Sequence, residues 1–170
     1  MRNIKKLLFV SLFFILNACF NHADDISILP SGKINIKSTI EITDKEADKA
    51  KVKEEINKKI KLLKEEGWDV TYAWKKKSKP YKIIFNARNT LDKLYKYQKE
   101  TDGDTPSGVY IYKKFTDKQY VVTFDLLPDA NHRLLGLKEY SLPLYLVNDD
   151  GELEATRSIK SEKKYYVVLD

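Results

Sequence analysis

From Lys33 to Glu66 the chain switches once, abruptly, between two hydrophobic periods. That switch constrains the fold more than any other feature of the sequence. Ile34, Ile36, Ile40 and Ile42 share one parity with Ser38, while Lys33, Asn35, Lys37, Thr39 and Glu41 take the other. Alternation of this kind sends one row of side chains into a core and the other into water, so the segment reads as a half-buried strand. Beyond it, Val52, Ile56, Ile60 and Leu63 recur at helical spacing, flanked by Ala47 and Leu62. Such a stripe buries on one face of a helix running to about Glu66. Thr43-Asp44-Lys45-Glu46 fits a capping box with Thr43 at the cap, and Gly67 suits the position just past the helix end. Lys and Glu residues on the other helix faces read as a solvated surface.

The alternation then resumes. Trp68, Val70, Tyr72 and Trp74 share a parity, which predicts a second strand, and Tyr81, Ile83, Phe85 and Ala87 predict a third. Lys75 to Pro80 is a basic turn between them. Asn89 or Thr90 can cap a second helix with Leu91, Leu94 and Tyr95 on its inner face. Residues 101–108 are dense in Asp, Gly, Thr and Pro and read as a loop. The rest reads as strand: 109–115 and 119–127 as a hairpin, 140–147 and 152–159 about Asn148-Asp149-Asp150-Gly151, and 164–169 last. Pro143 points its strand toward a sheet edge, and residues 128–132 read as a loop. The order is β-α-β-β-α-β followed by C-terminal β-hairpins. It predicts an α+β fold with two helices on one face of a mostly antiparallel sheet, its first six elements in a split βαβ, ferredoxin-like arrangement.

At 170 residues the chain is long enough for one such domain. Charged residues make up 33% and the hydrophobic set 42%, which excludes a multi-span membrane protein and a disordered chain. A single Cys excludes an intrachain disulfide framework, and two His, His22 and His132, leave little for a His-built metal site. The excess of 31 Lys and Arg over 25 Asp and Glu is carried almost wholly by Lys. Nucleic-acid readers lean on Arg for bidentate contacts, so no nucleic-acid partner is expected.

Half of that excess belongs to the first residues. Arg2, Lys5 and Lys6 precede an apolar run, Leu7 to Leu16, broken only by Ser11. A charged start, a short apolar run and a small residue before a cut describe a secretory signal. Ten apolar residues fall short of the roughly 20 that a spanning helix needs. The only Cys follows at once. Leu16-Asn17-Ala18-Cys19 resembles the lipobox of bacterial lipoproteins, with Asn17 where Ser, Ala or Thr is commoner. The resemblance implies that the Cys19 thiol receives diacylglycerol, that cleavage falls between Ala18 and Cys19, and that the new amine is acylated, as with palmitate. Without Arg2, Lys5 and Lys6 the formal charge falls from +6 to +3. The expected organisation is residues 1–18 signal peptide, 19–31 lipidated tether and 32–170 one α+β domain. Phe20 and Asn21 replace the Asp that would hold a lipoprotein in the inner membrane, so the outer membrane is expected where there are two.

Three stretches together resemble the LppM-like group of lipoproteins: Asp25–Lys37, Glu66-Gly67-Trp68-Asp69-Val70 and Ile83–Leu94. That resemblance implies an anchored extracytoplasmic domain without recognised catalytic residues and with a capacity for amphiphiles.

Sites for chemistry are sparse. His132 sits in an expected loop with no Gly-x-Ser-x-Gly elbow in the chain, His22 falls in the expected tether, and Cys19 is committed to lipid. Asp102-Gly103-Asp104 and Asp149-Asp150-Gly151-Glu152 lack the EF-hand spacing. No catalytic residue, cofactor or metal is expected. Two binding features remain. Lys75, Lys76, Lys77, Lys79 and Lys82 form a basic cluster suited to an anionic surface, and Trp68, Tyr72 and Trp74 are candidates to line an apolar pocket. The reading is a non-enzymatic, membrane-anchored envelope lipoprotein with a binding or structural role toward an envelope protein, lipid or anionic glycolipid. The alternatives are an amphiphile carrier with an apolar cavity and, last, an envelope hydrolase.

Overall fold

The isoleucine row that sets the period in the sequence is the spine of the observed fold. The computed structural model describes residues 20–76, 78–103, 105–125, 131–134, 144–156, 159 and 163–170. The expected signal segment, with Leu16-Asn17-Ala18-Cys19, and Lys77, Asp104 and Tyr140 lie outside them. Strand β2, Lys33–Ile42, buries Ile34, Ile36, Ser38, Ile40 and Ile42 and turns the other row outward. Helix α1, Lys49–Glu65, buries Val52, Ile56, Lys59 and Leu63. It ends as its glycine demands: Gly67 takes φ +89, its N–H donates to Lys64 O, and Trp68 N–H donates to Leu63 O. This is a Schellman closure, and Leu63 and Trp68 meet in the same core.

The start of α1 differs from expectation. The cap is Asp48, whose carboxylate accepts from Lys51 N–H, and not Thr43. Asp44 takes the Glu46 N–H for a local turn at 2.8 Å, which removes Glu46 from the capping box. Of the two expected candidates, Asn89 and Thr90, it is Thr90 that caps the second helix, α2, Leu91–Glu100.

Strand β3, Asp69–Lys76, and strand β4, Tyr81–Thr90, complete one half of the expected topology. In the sheet, β4 lies between β3 and β2 and is antiparallel to both, which is a split βαβ about α1. The other half departs. A ferredoxin-like fold would return its next strand to the free side of β2, but residues 20–28 already occupy that place. They form strand β1, Phe20–Ile28, antiparallel to β2 along its whole length. The expected tether is therefore a strand of the domain. Its alternation is masked because His22 and Asp24 take inward positions, and the sequence shows only Ile26 and Ile28 as its apolar row. The structure completes this sheet with β7, Asn131–Leu134, parallel to β1, where a loop was expected. The order is β3-β4-β2-β1-β7.

The remaining strands build a second five-stranded sheet. It contains β5, Val109–Thr116, β6, Gln119–Phe124, β8, Leu144–Val147, β9, Leu153–Thr156, and β10, Lys164–Val168, in the order β5-β6-β10-β8-β9. Strand β8 is interior and not an edge, because it begins at Leu144, after Pro143, and every residue in it can join the ladder. A buried cluster joins the two sheets: Ile26, Ile34, Ile36 and Val70 pack with Leu91 and Leu94 of α2 and with Val122, Phe124, Tyr165 and Val167. A second cluster lies under α1, where Val52 and Ile56 meet Ile40, Ile42, Ile83 and Phe85. The protein is thus an α+β fold of two helices and two largely antiparallel sheets. Gln98 closes the exposed edge of β5. Its side-chain amide donates to Val109 O and its oxygen accepts from Ile111 N–H, imitating a neighbouring strand.

Candidate functional site

The β3–β4 hairpin carries the most concentrated charge of the described residues. Between Val70 and Leu91 the sequence has Lys75, Lys76, Lys77, Lys79, Lys82 and Arg88 and no acid. Lys75, Lys76, Lys79 and Lys82 are all exposed. Lys76 and Lys82 face each other across the ladder, a like-charge pair that costs stability. Glu41, opposite Lys82 on β2, offsets part of it. Lys79 donates to the carbonyl of Lys45 on the loop before α1, tying the hairpin tip to that loop. Trp74 is half-buried beneath the tip. It meets Tyr81 edge-on at 5.5 Å, and the Lys49 ammonium lies 5.3 Å from its ring centre.

The three aromatics expected to converge on one pocket do not. Trp68 lies just before β3 and is 3% exposed within the core between the sheets. Tyr72 and Trp74 pack on the other cluster, with Tyr72 stacked on Phe85 at 5.7 Å. One strand face spans both cores, so shared parity put the side chains on one side but not around one space. A groove of about 410 Å³ lies on the opposite face of the first sheet, where Asp25, Ser27, Asn35, Lys37 and Arg88 share the lining with Leu29, Ile36 and Ala87.

Two buried polar clusters were not found by sequence reasoning. His22 Nε2 lies 2.8 Å from Asp24 Oδ1, and the Ser38 hydroxyl donates to the same oxygen at 2.5 Å. All three side chains belong to the inward rows of β1 and β2. The signal was present: Ser38 is the one polar residue in the row Ile34, Ile36, Ile40, Ile42, and a buried hydroxyl calls for a polar neighbour. The three residues do not make a nucleophile relay, because both Ser38 and His22 address the carboxylate and Asp24 is the hub. His132 stands opposite Asp24 in the β1–β7 ladder by its backbone, and its side chain lies outside the described residues.

The second cluster joins α1 to the loop before β5. Lys59, buried, donates to Pro106 O at 2.6 Å. Glu66, at the helix end, accepts from Ser107 N–H and from the Ser107 hydroxyl, each at 2.7 Å. The indole N–H of Trp68 faces the same carboxylate without reaching hydrogen-bond geometry. Burial pushes the Glu66 carboxyl up to about 7, against the pull of the Ser107 bonds. Burial pushes the Lys59 ammonium down to about 7, with the Glu66 charge opposing.

The acidic turn Asp149-Asp150-Gly151-Glu152 is organised by the residue before it. Asn148 Oδ1 accepts from Asp150 N–H and Glu152 N–H, shaping the turn about Gly151. Among the described residues no group of three or more His, Cys, Asp or Glu could hold a metal ion, and no helix is long and apolar enough to cross a membrane. An α+β protein of two packed sheets is the class that the fold defines. No family model, no curated protein and no solved structure matches the chain.

Proposed function

We propose that the protein is an exported, lipid-anchored envelope lipoprotein whose α+β domain has a non-enzymatic binding or structural role. The observation that carries this reading is the run of Arg2, Lys5 and Lys6, the ten residues to Leu16, and Leu16-Asn17-Ala18-Cys19 with the chain's single cysteine. Strand β1 includes Phe20, the residue next to Cys19. Cleavage before Cys19 would leave the strand whole. Acyl chains bury at ~0.8 kcal/mol per CH2, and two or three of them hold a protein to a bilayer where one does not. The resemblance of Asp25–Lys37, Glu66–Val70 and Ile83–Leu94 to LppM-like lipoproteins agrees with this reading. In favour of a binding role, Glu66, Asp24 and Ser38 are engaged by buried hydrogen bonds or ion pairs within the fold. Intact mass of the membrane-extracted protein tests the proposal. A diacylglyceryl adduct on Cys19 with loss of residues 1–18 is expected, and Cys19→Ala should keep its signal segment and carry no lipid. An unmodified Cys19 in a membrane-bound wild-type chain would overturn it.

A further inference from the structure

The register of the first sheet brings the basic hairpin and the entry of the chain to the same end. Phe20 stands opposite Ile42, and Ile42 stands opposite Tyr81. Ile83 stands opposite Trp74, and Lys82 opposite Lys76. With neighbouring strands about 4.8 Å apart, the start of β1 is roughly 10 Å from the start of β4 and roughly 15 Å from the end of β3. Cys19 is one peptide, ~3.8 Å, further along the chain. We infer that this end of the sheet is a bilayer-facing surface on which Lys75, Lys76, Lys79 and Lys82 engage anionic phospholipid headgroups of the membrane that holds the Cys19 anchor. The inference rests on the lipoprotein reading above.

Two observations carry it. The hairpin is purely basic from Val70 to Leu91, although the domain as a whole is nearly balanced. Lys76 and Lys82 are kept opposite each other at a cost that an anionic surface relieves. Acids also stand at this end: Glu41, Asp44, Glu46 and Asp48. Asp44 and Asp48 are turned to backbone N–H groups at 2.8 and 2.9 Å, and Lys45 and Lys49 stand among them. Electrostatic attraction to a bilayer fades within a Debye length of about 8 Å, so only lysines held beside the anchor feel it. With β1 starting at Phe20, no flexible spacer carries the hairpin away.

The test uses the lipidated chain, extracted and reconstituted on vesicles of phosphatidylcholine alone or with phosphatidylglycerol added, with amine acylation read residue by residue. Acylation of Lys75, Lys76, Lys79 and Lys82 should fall on the order of fivefold on the anionic vesicles, the occupancy that one surface lysine commands, and recover in high salt. Lys33 and Lys93, exposed at the other end of the sheet, should label equally on both. Acylation of Lys45, at the same end, should fall with theirs, and replacing the four lysines by Gln should abolish that fall and leave the thermal midpoint near wild type. Equal labelling of all lysines on both vesicles would overturn the inference and leave the lipoprotein reading standing. Absence of lipid mass on Cys19 would overturn that reading by itself.

Discussion

Lys59 and Glu66 bring opposite charges to one buried loop, and each is held where its charged form is disfavoured. The unperturbed value for Glu66 is 4.5 and burial raises it to about 7. Between those values the folded state binds more protons than the unfolded state, so stability falls as pH rises from about 4.5 to 7. For Lys59 the unperturbed value is 10.5 and burial lowers it to about 7. Between 7 and 10.5 the unfolded state binds more protons, so stability rises with pH. The pair therefore contributes a minimum near pH 7. Urea midpoints measured from pH 5 to 10 should show the acidic limb flattened in Glu66→Gln and the alkaline limb flattened in Lys59→Met. Glu66→Ala, which strands two buried donors of Ser107, should cost roughly 3 kcal/mol near pH 5 and less as the pH approaches 7, where ionisation of the buried carboxyl already weakens the wild type. The sequence hinted at neither group: Lys59 stands on an expected solvated helix face, and only the docked loop at Pro106 turns that position inward.

Helix ends and strand starts show where local chemistry is sufficient and where it is not. The C-terminus of α1 was legible because Gly67 is needed for a left-handed closure, and φ +89 confirms the need. Gly67→Ala should cost about 1–2 kcal/mol through that conformation. The N-terminus was misread because Thr43-Asp44-Lys45-Glu46 satisfies the capping pattern, yet Asp44 closes its own turn first. Asp48→Ala, which removes the cap of α1, should cost about 1 kcal/mol in chemical denaturation. For the second cap the sequence offered Asn89 or Thr90, and the structure gives it to Thr90, whose hydroxyl accepts from Lys93 N–H.

At the scale of the molecule, the largest difference from expectation is β1. Its Ile26 and Ile28 are each 1% exposed and join the core between the two sheets. Ile26→Ala should destabilise the protein by about 2–5 kcal/mol, the range for a buried residue, where a tether would lose nothing. Thermal unfolding of the variant checks this. The consequence for the proposed function is geometric. On the lipoprotein proposal, an anchor at Cys19 would hold one end of the first sheet at the bilayer, the end that carries the lysines of the hairpin.

By itself the sequence determined the α+β class, most of the strands and both helices. These depend on spacing within a few residues: parity, helical period, a glycine past a helix end. Tertiary structure decided the rest. It moved residues 20–28 into the sheet through their pairing with β2, and sent the later strands into a second sheet. It also divided Trp68 from Tyr72 and Trp74, and put Phe20 and Lys82 at one end. Those outcomes follow from contacts between residues far apart in the chain. Which strand lies beside which, and in what register, is set by packing energies that no local pattern carries.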